Sequence, residues 1–212
     1  MAEKFKIERP KIPTELSAES FQYREDAYYN RIIIEGETIH AEEVHQIKFD
    51  EVIFKNVVFE QVSFQNIELT DCIFDHCDLS NSDFSEGSIH RVEFRDSKML
   101  GINFSDATIA NVLFTGCQGN LSSFGFAKLK HVMFEACLLN NGDLFECKFQ
   151  KVGFRDCELD EVNFSNTSLN GVDLSSCTFH NLQASLESLR GCIVNTEQAI
   201  GFAQFLGLRI KE

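Results

Sequence analysis

The amino-acid sequence predicts an all-β solenoid in which the chain winds into a four-sided coil of short parallel strands. A large apolar residue occupies every fifth position from Val44 to Phe179, with Gly119 as the one exception among 28 successive positions. A second ladder of small or β-branched residues, such as Val52 and Ala107, lies two positions before the members of the first. A short fixed period is the signature of a repeat architecture.

A period of five residues fits neither a helix nor a straight strand. Five residues advance a helix by about 500°, so successive apolar residues drift around the helix. In a strand, an odd period places successive apolar residues on opposite faces. A right-angle turn after each repeat keeps every fifth side chain inside, so four repeats close one coil. Residues one coil apart then stack about 4.8 Å apart, and 28 repeats make seven coils.

Three segments follow from this pattern. Residues 1–43 lack the second ladder and contain both prolines, so we expect an amino-terminal segment and cap, with Ile32–Ile34 as its first strand. Residues 44–194 form the repeat coil. In residues 195–212, Asn195 or Thr196 can cap a short helix that runs to about Leu206, and Leu208–Ile210 can follow as a strand.

The carboxy-terminal helix is rich in apolar side chains. Simple capping of the last coil is one explanation, since an open coil end exposes strand edges. The number of apolar residues favours self-association through a two-fold contact instead. The predicted interface consists of Ala199, Ile200, Phe202, Ala203, Phe205 and Leu206.

An apolar stripe runs down the outside of the predicted coil. It consists of Ile53, Ile73, Leu113 and Met133. We expect residues 5–30 to cover it, although a partner site remains an alternative. The candidates for this cover are Phe5, Ile7, Phe21 and Tyr23.

The cysteines all lie in the second inward ladder. They are Cys72, Cys77, Cys117, Cys137, Cys147, Cys157, Cys177 and Cys192. We interpret them as small buried side chains in a reducing compartment, because Val, Ala and Ser take the same positions elsewhere and no C-x-x-C pair occurs. Neither a disulfide nor a metal site is predicted.

Two neighbouring sides of the coil are predicted to be acidic. We number the sides by their inward centres, every twentieth residue: face 1 from Phe49, face 2 from Phe54, face 3 from Phe59, and face 4 from Val44. The outward acids of face 4 are Glu43, Asp83, Glu86, Asp106, Asp143 and Glu146. Those of face 3 are Glu60, Asp78, Glu158, Asp160 and Glu161. Face 1 instead carries Lys48, Arg91, Lys128, Lys130, Lys148 and Lys151.

The acidic charge approaches that of a nucleic-acid duplex. Residues 42–181 contain 22 acids and 10 bases, an excess of about one charge per 2.8 Å of coil. Duplex DNA carries one per about 1.7 Å. A rod of this kind can occupy a groove that binds DNA, although acidic surfaces also simply maintain solubility.

Two phenylalanines of the repeat region fall outside the inward ladders. Phe126 and Phe145 lie on adjacent coils of face 4, near Gly119. An exposed aromatic pair among carboxylates resembles a binding hot spot. The alternative is a bulge at Gly119 that folds Phe126 over a local gap.

Several classes of partner and activity are not expected. The net charge of −14 would repel nucleic acids and anionic membranes. No apolar run approaches the roughly 18 to 20 residues of a membrane span, and residues 1–4 do not begin a signal peptide, so we expect a cytoplasmic protein. The six histidines are scattered, no catalytic or nucleotide-binding motif occurs, and a phenylalanine-filled core leaves no cavity. We therefore expect neither an enzyme nor a cofactor.

The repeat units carry a family resemblance. Residues 77–81 (Cys-Asp-Leu-Ser-Asn), 82–86 (Ser-Asp-Phe-Ser-Glu) and 162–166 (Val-Asn-Phe-Ser-Asn) resemble pentapeptide-repeat proteins, a match that covers about residues 40–194. The resemblance implies a right-handed quadrilateral parallel β-helix and says little about function.

The carboxy-terminal stretch points to one group within the pentapeptide-repeat proteins. Gln198-Ala199, followed by Leu-Gly-Leu-Arg-Ile at residues 206–210, is similar to the Qnr-type quinolone-resistance proteins, as is the total length. That resemblance implies a homodimer formed by the terminal helix and a DNA mimic that binds DNA gyrase and topoisomerase IV. The implied function is protection from fluoroquinolones or inhibition of supercoiling. The unbroken register from 44 to 179 resembles the members without projecting loops. The alternatives are a scaffold or adaptor, or immunity to a toxin.

Overall fold

The chain folds into a parallel β-solenoid of about eight turns, followed by one short helix. The computed structural model describes residues 5–22, 27–40, 46–60, 62–205 and 207–209, without the side chains of residues 204 and 205. The strands are β1 (Ser17–Ala18), β2 (Tyr28–Asn30), β3 (Ile32–Glu35), β4 (Thr38–His40), β5 (Lys48–Asp50), β6 (Ile53–Lys55), β7 (Val58–Glu60), β8 (Glu68–Asp75), β9 (Ser88–Arg95), β10 (Thr108–Thr115), β11 (Lys128–Glu135), β12 (Lys148–Arg155), β13 (Val162–Asn163) and β14 (Leu182–Gln183). The helix α1 spans Thr196–Phe205.

Parallel pairing joins residues that are 20 positions apart, as the period of five predicts. Phe94 pairs with Phe114, and Phe114 pairs with Phe134. Strands β8 to β12 each span face 1 and face 2, where ten of the described strands form one sheet. Faces 3 and 4 are built mainly of turns that are linked by isolated bridges, such as Asp83 to Asn103. Two faces are therefore sheet and two are turn.

The coil turns at the second residue after each inward centre. Every described residue at this position, from Gln46 to Gly171, has a positive φ. Left-handed backbone is favourable for Gly and tolerable for Asn and Asp. This geometry provides the right-angle turn that the five-residue period requires.

The core is a set of stacked side-chain columns. On face 2 the rings from Phe54 to Phe154 stack at centroid distances of 4.6–5.0 Å and within about 12° of parallel. The predicted inward phenylalanines are buried, including Phe94 and Phe114, except Phe149 and Phe179, which are half-buried. The expected solenoid and its inward ladder are confirmed.

The coil extends further towards the amino terminus than the predicted boundary at residue 44. Strands β2, β3 and β4 pair in the 20-residue register with β5, β6 and β7. Residues 28–40 therefore form a further coil, which accounts for about eight turns instead of the predicted seven. This coil could not be recognised from the sequence because the second ladder is irregular in residues 28–40.

Residues 5–11, which we call the strap, lie along the corner between faces 1 and 2. The Phe5 ring stacks on His131 with a centroid distance of 6.2 Å. The Glu8 amide donates to Asn111 Oδ1 at 3.2 Å, and the Lys11 amide donates to Asp71 Oδ1 at 2.8 Å. The strap thus crosses several coils and covers the apolar stripe, as expected for an intramolecular cover.

Glu93 anchors the strap from within the apolar stripe. Its side chain is only 4% exposed, and Oε1 accepts a hydrogen bond from Arg9 Nη1 at 2.8 Å. Arg95 binds its other oxygen. A buried carboxylate needs such partners, so Glu93 fixes the strap at one register.

Phe21 and Tyr23 were also candidates for the cover. Phe21 packs instead against Tyr29, Phe49 and Phe64 at the amino-terminal end of the core. It therefore caps the coil and does not cover the stripe. Tyr23 lies outside the described residues.

The terminal helix begins at a reciprocal capping box. Asn195 Oδ1 accepts from the Gln198 amide, and Gln198 Oε1 accepts from the Asn195 amide, both at 2.9 Å. The predicted cap is thus confirmed at Asn195. The expected strand at residues 208–210 is not formed at Leu208 and Arg209, and Ile210 lies outside the described residues.

Candidate functional site

Face 4 presents one exposed column of corner residues. The column consists of Asn66, Glu86, Asp106, Phe126, Glu146 and Asn166, all with positive φ. The carboxylates of Glu86 and Asp106 have no hydrogen-bond partner among the described residues. That of Glu146 accepts only from Asn166 Nδ2 at 3.2 Å. These three predicted site residues therefore project charge into solvent.

Asp83 and Asp143 hold the turns of face 4 as well as contributing charge. Asp83 Oδ1 accepts from the Ser85 amide at 3.0 Å and from Asn103 Nδ2 at 2.9 Å. Asp143 makes the same pair of contacts, with Phe145 and Asn163. A short polar side chain that bonds the backbone two residues on stabilises a turn. One oxygen of each is therefore committed to the fold.

The carboxylates of face 3 are mostly paired. Asp78 Oδ1 accepts from the amide and hydroxyl of Ser80, and its Oδ2 lies 3.7 Å from Lys98 Nζ. Glu158 accepts from Asn140 Nδ2. Face 3 is therefore less available for a partner than the sequence indicated.

The remaining acids of face 3 also have partners. Glu60 lies 3.4 Å from His40 Nδ1, and Glu161 accepts from Asn181 Nδ2 at 3.0 Å. The amides of Asn181 and His180 donate to Asp160 Oδ1 and lower the pKa of that carboxyl. Glu43, the first predicted residue of face 4, lies outside the described residues.

The basic side of the molecule, face 1, lies opposite face 3 and next to face 4. Lys48 and Arg91 pair with Glu68 and Asp71. The other four predicted bases of face 1 have no ion-pair partner among the described residues; they are Lys128, Lys130, Lys148 and Lys151. The strap adds Arg9 and Lys11 to the neighbouring corner. The surface charge is thus polarised around the coil.

The two unusual phenylalanines contact each other. Phe126 is 50% exposed, and its ring meets that of Phe145 edge to face at a centroid distance of 5.4 Å. The alternative of a bulge at Gly119 is wrong. Gly119 keeps the regular ladder bonds, from its amide to Leu138 and from the Ser122 amide to its carbonyl, and it leaves only a void of about 10 Å³.

The predicted dimer residues separate into two sets. Ala199 and Ile200 are exposed, whereas Phe202 packs against Phe179 of the last coil at 5.8 Å. Ala203 is half-buried. Phe202 therefore closes the coil of its own chain. Leu206 and the side chain of Phe205 lie outside the described residues.

A groove of about 730 Å³ lies between helix α1 and the last coil. Phe179, Leu182 and Phe202 provide its apolar lining, and Glu161 and Glu197 are its acidic residues. The described part of this chain leaves the groove open. Helix α1 lines it with Glu197, Gln198, Gly201 and Phe202, and Ala199 and Ile200 of the predicted dimerisation region lie on the same helix.

The cysteines behave as core side chains. Seven of them are buried and free of disulfides, and Cys192 is half-buried. Six of the thiols donate to backbone carbonyls of the preceding coil, as from Cys72 to Phe49 at 3.4 Å. Burial raises the pKa of Cys72 to about 12, so its thiol remains protonated and unreactive at neutral pH.

A metal-binding cluster and a membrane-spanning helix are both absent from the described residues. Across the described ranges, no group of three or more His, Cys, Asp or Glu side chains is arranged to hold a metal ion. In that part of the chain, no helix combines the length and the hydropathy that a membrane span requires.

Comparison with known families matches the coil. A model described as "Pentapeptide repeat region" matches residues 67–144, and one described as "Pentapeptide repeats (8 copies)" matches residues 139–181. Together they span more than half of the chain. A third, described as "SV2A/B/C luminal domain", matches residues 19–105.

Individual proteins are similar over parts of the chain. "Uncharacterized protein YisX" of Bacillus subtilis (strain 168) is 65% identical over 119 residues, which are 56% of this chain and 56% of that protein. The match thus spans little more than half the length of this relative.

Two solved structures show a partial likeness to the chain. HetL, a pentapeptide repeat protein involved in heterocyst differentiation regulation in Nostoc sp. strain PCC 7120, is 12% identical, with a TM-score of 0.44 over 80% of this chain and 90% of HetL. A trypsin-treated form of QnrB1, a plasmid-mediated fluoroquinolone resistance protein, is 19% identical, with a TM-score of 0.41 over 87% of this chain and all of that chain. Neither likeness bears on function.

Proposed function

Because the chain is a pentapeptide-repeat protein, we propose that it is a DNA mimic that binds a type II topoisomerase, DNA gyrase or topoisomerase IV. In this role it protects the enzyme from fluoroquinolones or modulates its supercoiling activity. It acts by electrostatic docking and contributes no chemistry of its own. The observation that carries the proposal is the polarised charge of the solenoid, with free carboxylates on face 4 and unpaired cations on the neighbouring face 1.

Face 4 is the part of the surface that fits this role best. Glu86, Asp106 and Glu146 stand in one exposed column on a scaffold held by backbone ladders, and successive members are one and two coils apart. A rigid array of this kind presents charge without the entropic cost of ordering it on binding. Its charge complements the lysines and arginines with which an enzyme holds a DNA duplex.

The choice of a topoisomerase as the partner rests on the sequence. The carboxy-terminal stretch from Gln198 to Ile210 resembles the Qnr-type proteins. Dimerisation through helix α1 is part of the same proposal. The exposed Ala199 and Ile200 and the groove lined by the same helix are compatible with a second copy at the end of the coil.

The proposal is tested by neutralising face 4 at constant shape. The variant combines Asp83→Asn, Glu86→Gln, Asp106→Asn, Asp143→Asn and Glu146→Gln. The Asn changes at residues 83 and 143 preserve the turns, because Asn103 and Asn163 already make the same turn bonds in that column. A matched control removes equal charge from the other sides by Glu68→Gln, Asp75→Asn, Asp96→Asn, Glu135→Gln and Asp156→Asn.

Binding to purified gyrase is measured between about 50 and 200 mM salt, together with supercoiling in the presence and absence of ciprofloxacin. We expect the affinity of the wild-type protein to fall steeply with salt. The face 4 variant should lose about tenfold or more in affinity, and the control should lose much less. The absence of both rescue and inhibition at micromolar protein would overturn the proposal.

The alternative is an adaptor or immunity protein that binds another protein through apolar contacts. The apolar stripe does not support it, because the strap already covers that surface. The aromatic pair does support it. An adaptor that uses this pair would bind its partner with little dependence on salt, which the same titration measures.

A further inference from the structure

Two large apolar side chains occupy corners of the coil that favour polar residues or glycine. Leu121 and Phe126 are 59% and 50% exposed, with φ of 61° and 62°. The equivalent corners in the column of Leu121 are Asn81, Gly101, Asn141 and Glu161, and those in the column of Phe126 are Asn66, Glu86, Asp106, Glu146 and Asn166. Only these two described corners hold a bulky aliphatic or aromatic side chain.

Neither side chain is favoured by the backbone conformation of its corner. Left-handed backbone disfavours residues with a bulky side chain relative to Asn or Gly. A half-exposed ring or isobutyl group recovers only part of the free energy that full burial would give. The stability of this chain alone therefore does not account for Leu121 and Phe126.

The two side chains stand at opposite corners of face 4 in the same coil. The outward residues between them are Ser123 and Gly125, which are small. Phe145 lies one coil further on, and its ring packs edge to face on Phe126. Other coils have Ser at the positions of Gly125 and Phe145, as at Ser105 and Ser165. The surface of face 4 between the two corners is therefore shallow, and apolar side chains border it.

Carboxylates surround this apolar group. Asp106 and Glu146 flank Phe126 one coil before and one coil after it, in the same exposed column. Asp143 Oδ2 lies 3.5 Å from the position that a Cβ on Gly125 would take. An apolar centre with an acidic margin complements a protein surface with an apolar pocket and a basic margin. The same carboxylates would repel a nucleic acid or an anionic membrane.

We propose that Leu121, Phe126 and Phe145 form an apolar anchor that inserts into a pocket bordered by Arg and Lys on the partner protein. The inference rests on the proposed function, since the partner is the topoisomerase that face 4 binds. The carboxylates steer the encounter, and the anchor supplies the short-range contact that DNA itself does not make. Affinity is therefore only partly lost at high salt.

The test replaces both corner side chains with the residue that the corner favours. The variant is Leu121→Asn combined with Phe126→Asn, with all carboxylates retained. We expect Tm to rise by about 2–4 °C, because Asn adopts the left-handed conformation more readily. We expect the affinity for gyrase holoenzyme to fall by about 10- to 100-fold. The control is Ala136→Asn, a change at a left-handed corner of face 2 that should leave binding unchanged.

The outcomes separate this inference from the proposed function. If the carboxylate variant weakens binding and the Asn variant does not, the anchor is wrong and the DNA mimic stands. If the Asn variant lowers Tm, the side chains are structural and the anchor is wrong. Sedimentation of the wild-type chain as an oligomer that the Asn variant dissociates would assign the anchor to a second copy and overturn the inference. A wild-type protein that does not bind gyrase overturns both proposals.

Discussion

Asp71 shows how one carboxylate joins the coil to the strap. It is buried at a left-handed corner, where Arg91 Nε and Nη2 donate to its two oxygens at 2.6 Å and the Lys11 amide donates to Oδ1. Burial raises the pKa of Asp71, but the hydrogen bonds from Arg91 and Lys11 outweigh it, so its pKa lies below the ordinary value. The ionised form is the one that the fold stabilises.

Acid should therefore weaken the fold in part through Asp71. A group with a depressed folded-state pKa contributes stability above its unfolded pKa of about 3.9, and this is lost as pH falls towards the folded value. We expect the free energy of unfolding to decline below about pH 4, and Asp71→Asn to reduce that decline. Urea titrations from pH 7 to pH 3 measure it. Asp96→Asn, at a face 2 corner, is the control, and equal slopes for wild type and Asp71→Asn would contradict the assignment.

For single residues, the sequence predicts which side chains point inward better than it predicts which side chains contact each other. Spacing alone places Phe94 and Phe114 in the core, because burial repeats with the period. The contacts of Lys11 with Asp71 and of Arg9 with Glu93 join residues 60 and 84 positions apart. These contacts depend on the path of the strap, and the strap has no sequence repeat from which that path could be predicted.

Gln198 attaches helix α1 to the coil by hydrogen bonds, in addition to the packing of Phe202 on Phe179. The amide nitrogen of Gln198 donates to the carbonyls of Leu174 and Cys177 at 2.9 and 2.8 Å, while its oxygen completes the capping box with Asn195. The side chain thus replaces part of the missing next coil. Every polar atom of this buried side chain is satisfied, as stability requires.

Removing this side chain should loosen the end of the coil. Gln198→Ala leaves the Cys177 carbonyl and the Asn195 amide without these partners, at a cost of about 2–3 kcal/mol. Urea unfolding measures the loss. Gln198→Glu is the isosteric control; it keeps the cap but not the amide donors and should also destabilise. A full recovery of stability in Gln198→Glu would show that only the cap matters.

The sequence predicts helix α1 closely, but only part of its role. Capping residues and the apolar pattern place its ends near Asn195 and Leu206. The spacing of Asn195 and Gln198 is the signal for a capping box. The contacts of Gln198 with the last coil could not be derived from it, because they depend on where the helix lies on that coil.

The whole molecule carries a net charge of −14 on a narrow solenoid. Self-repulsion among like charges destabilises a compact state. The ion pairs have the opposite effect, but most are exposed and contribute about 0–1 kcal/mol each. The net electrostatic effect on the fold is therefore repulsive.

Salt should consequently stabilise the free protein while it weakens the proposed complex. We expect the free energy of unfolding in urea, an uncharged denaturant, to rise as sodium chloride screens the repulsion. The five-residue face 4 variant should be more stable than wild type at low salt and less sensitive to salt. A decrease in stability on adding salt would mean that the ion pairs outweigh the repulsion.

The architecture as a whole could be predicted because one constraint repeats along the chain. The turn of each repeat, the stacking distance and the faces all follow from the period of five. Of the two apolar corner residues, only Phe126 could be recognised from the sequence, because it departs from the inward ladder. Leu121 could not, because only the structure shows that its backbone is left-handed. The sequence could not show which carboxylates are paired and which are free, because pairing depends on neighbours in the next coil.

The strap affects how the solenoid unfolds. In a stack of coils each turn touches only its neighbours, so an end can fray while the middle persists. Residues 5–11 make contacts from Asp71 to His131 and hold successive turns together with one continuous ribbon. Fraying at the amino-terminal end must peel this ribbon away before the turns beneath it separate. The strap therefore couples distant turns into one cooperative unit.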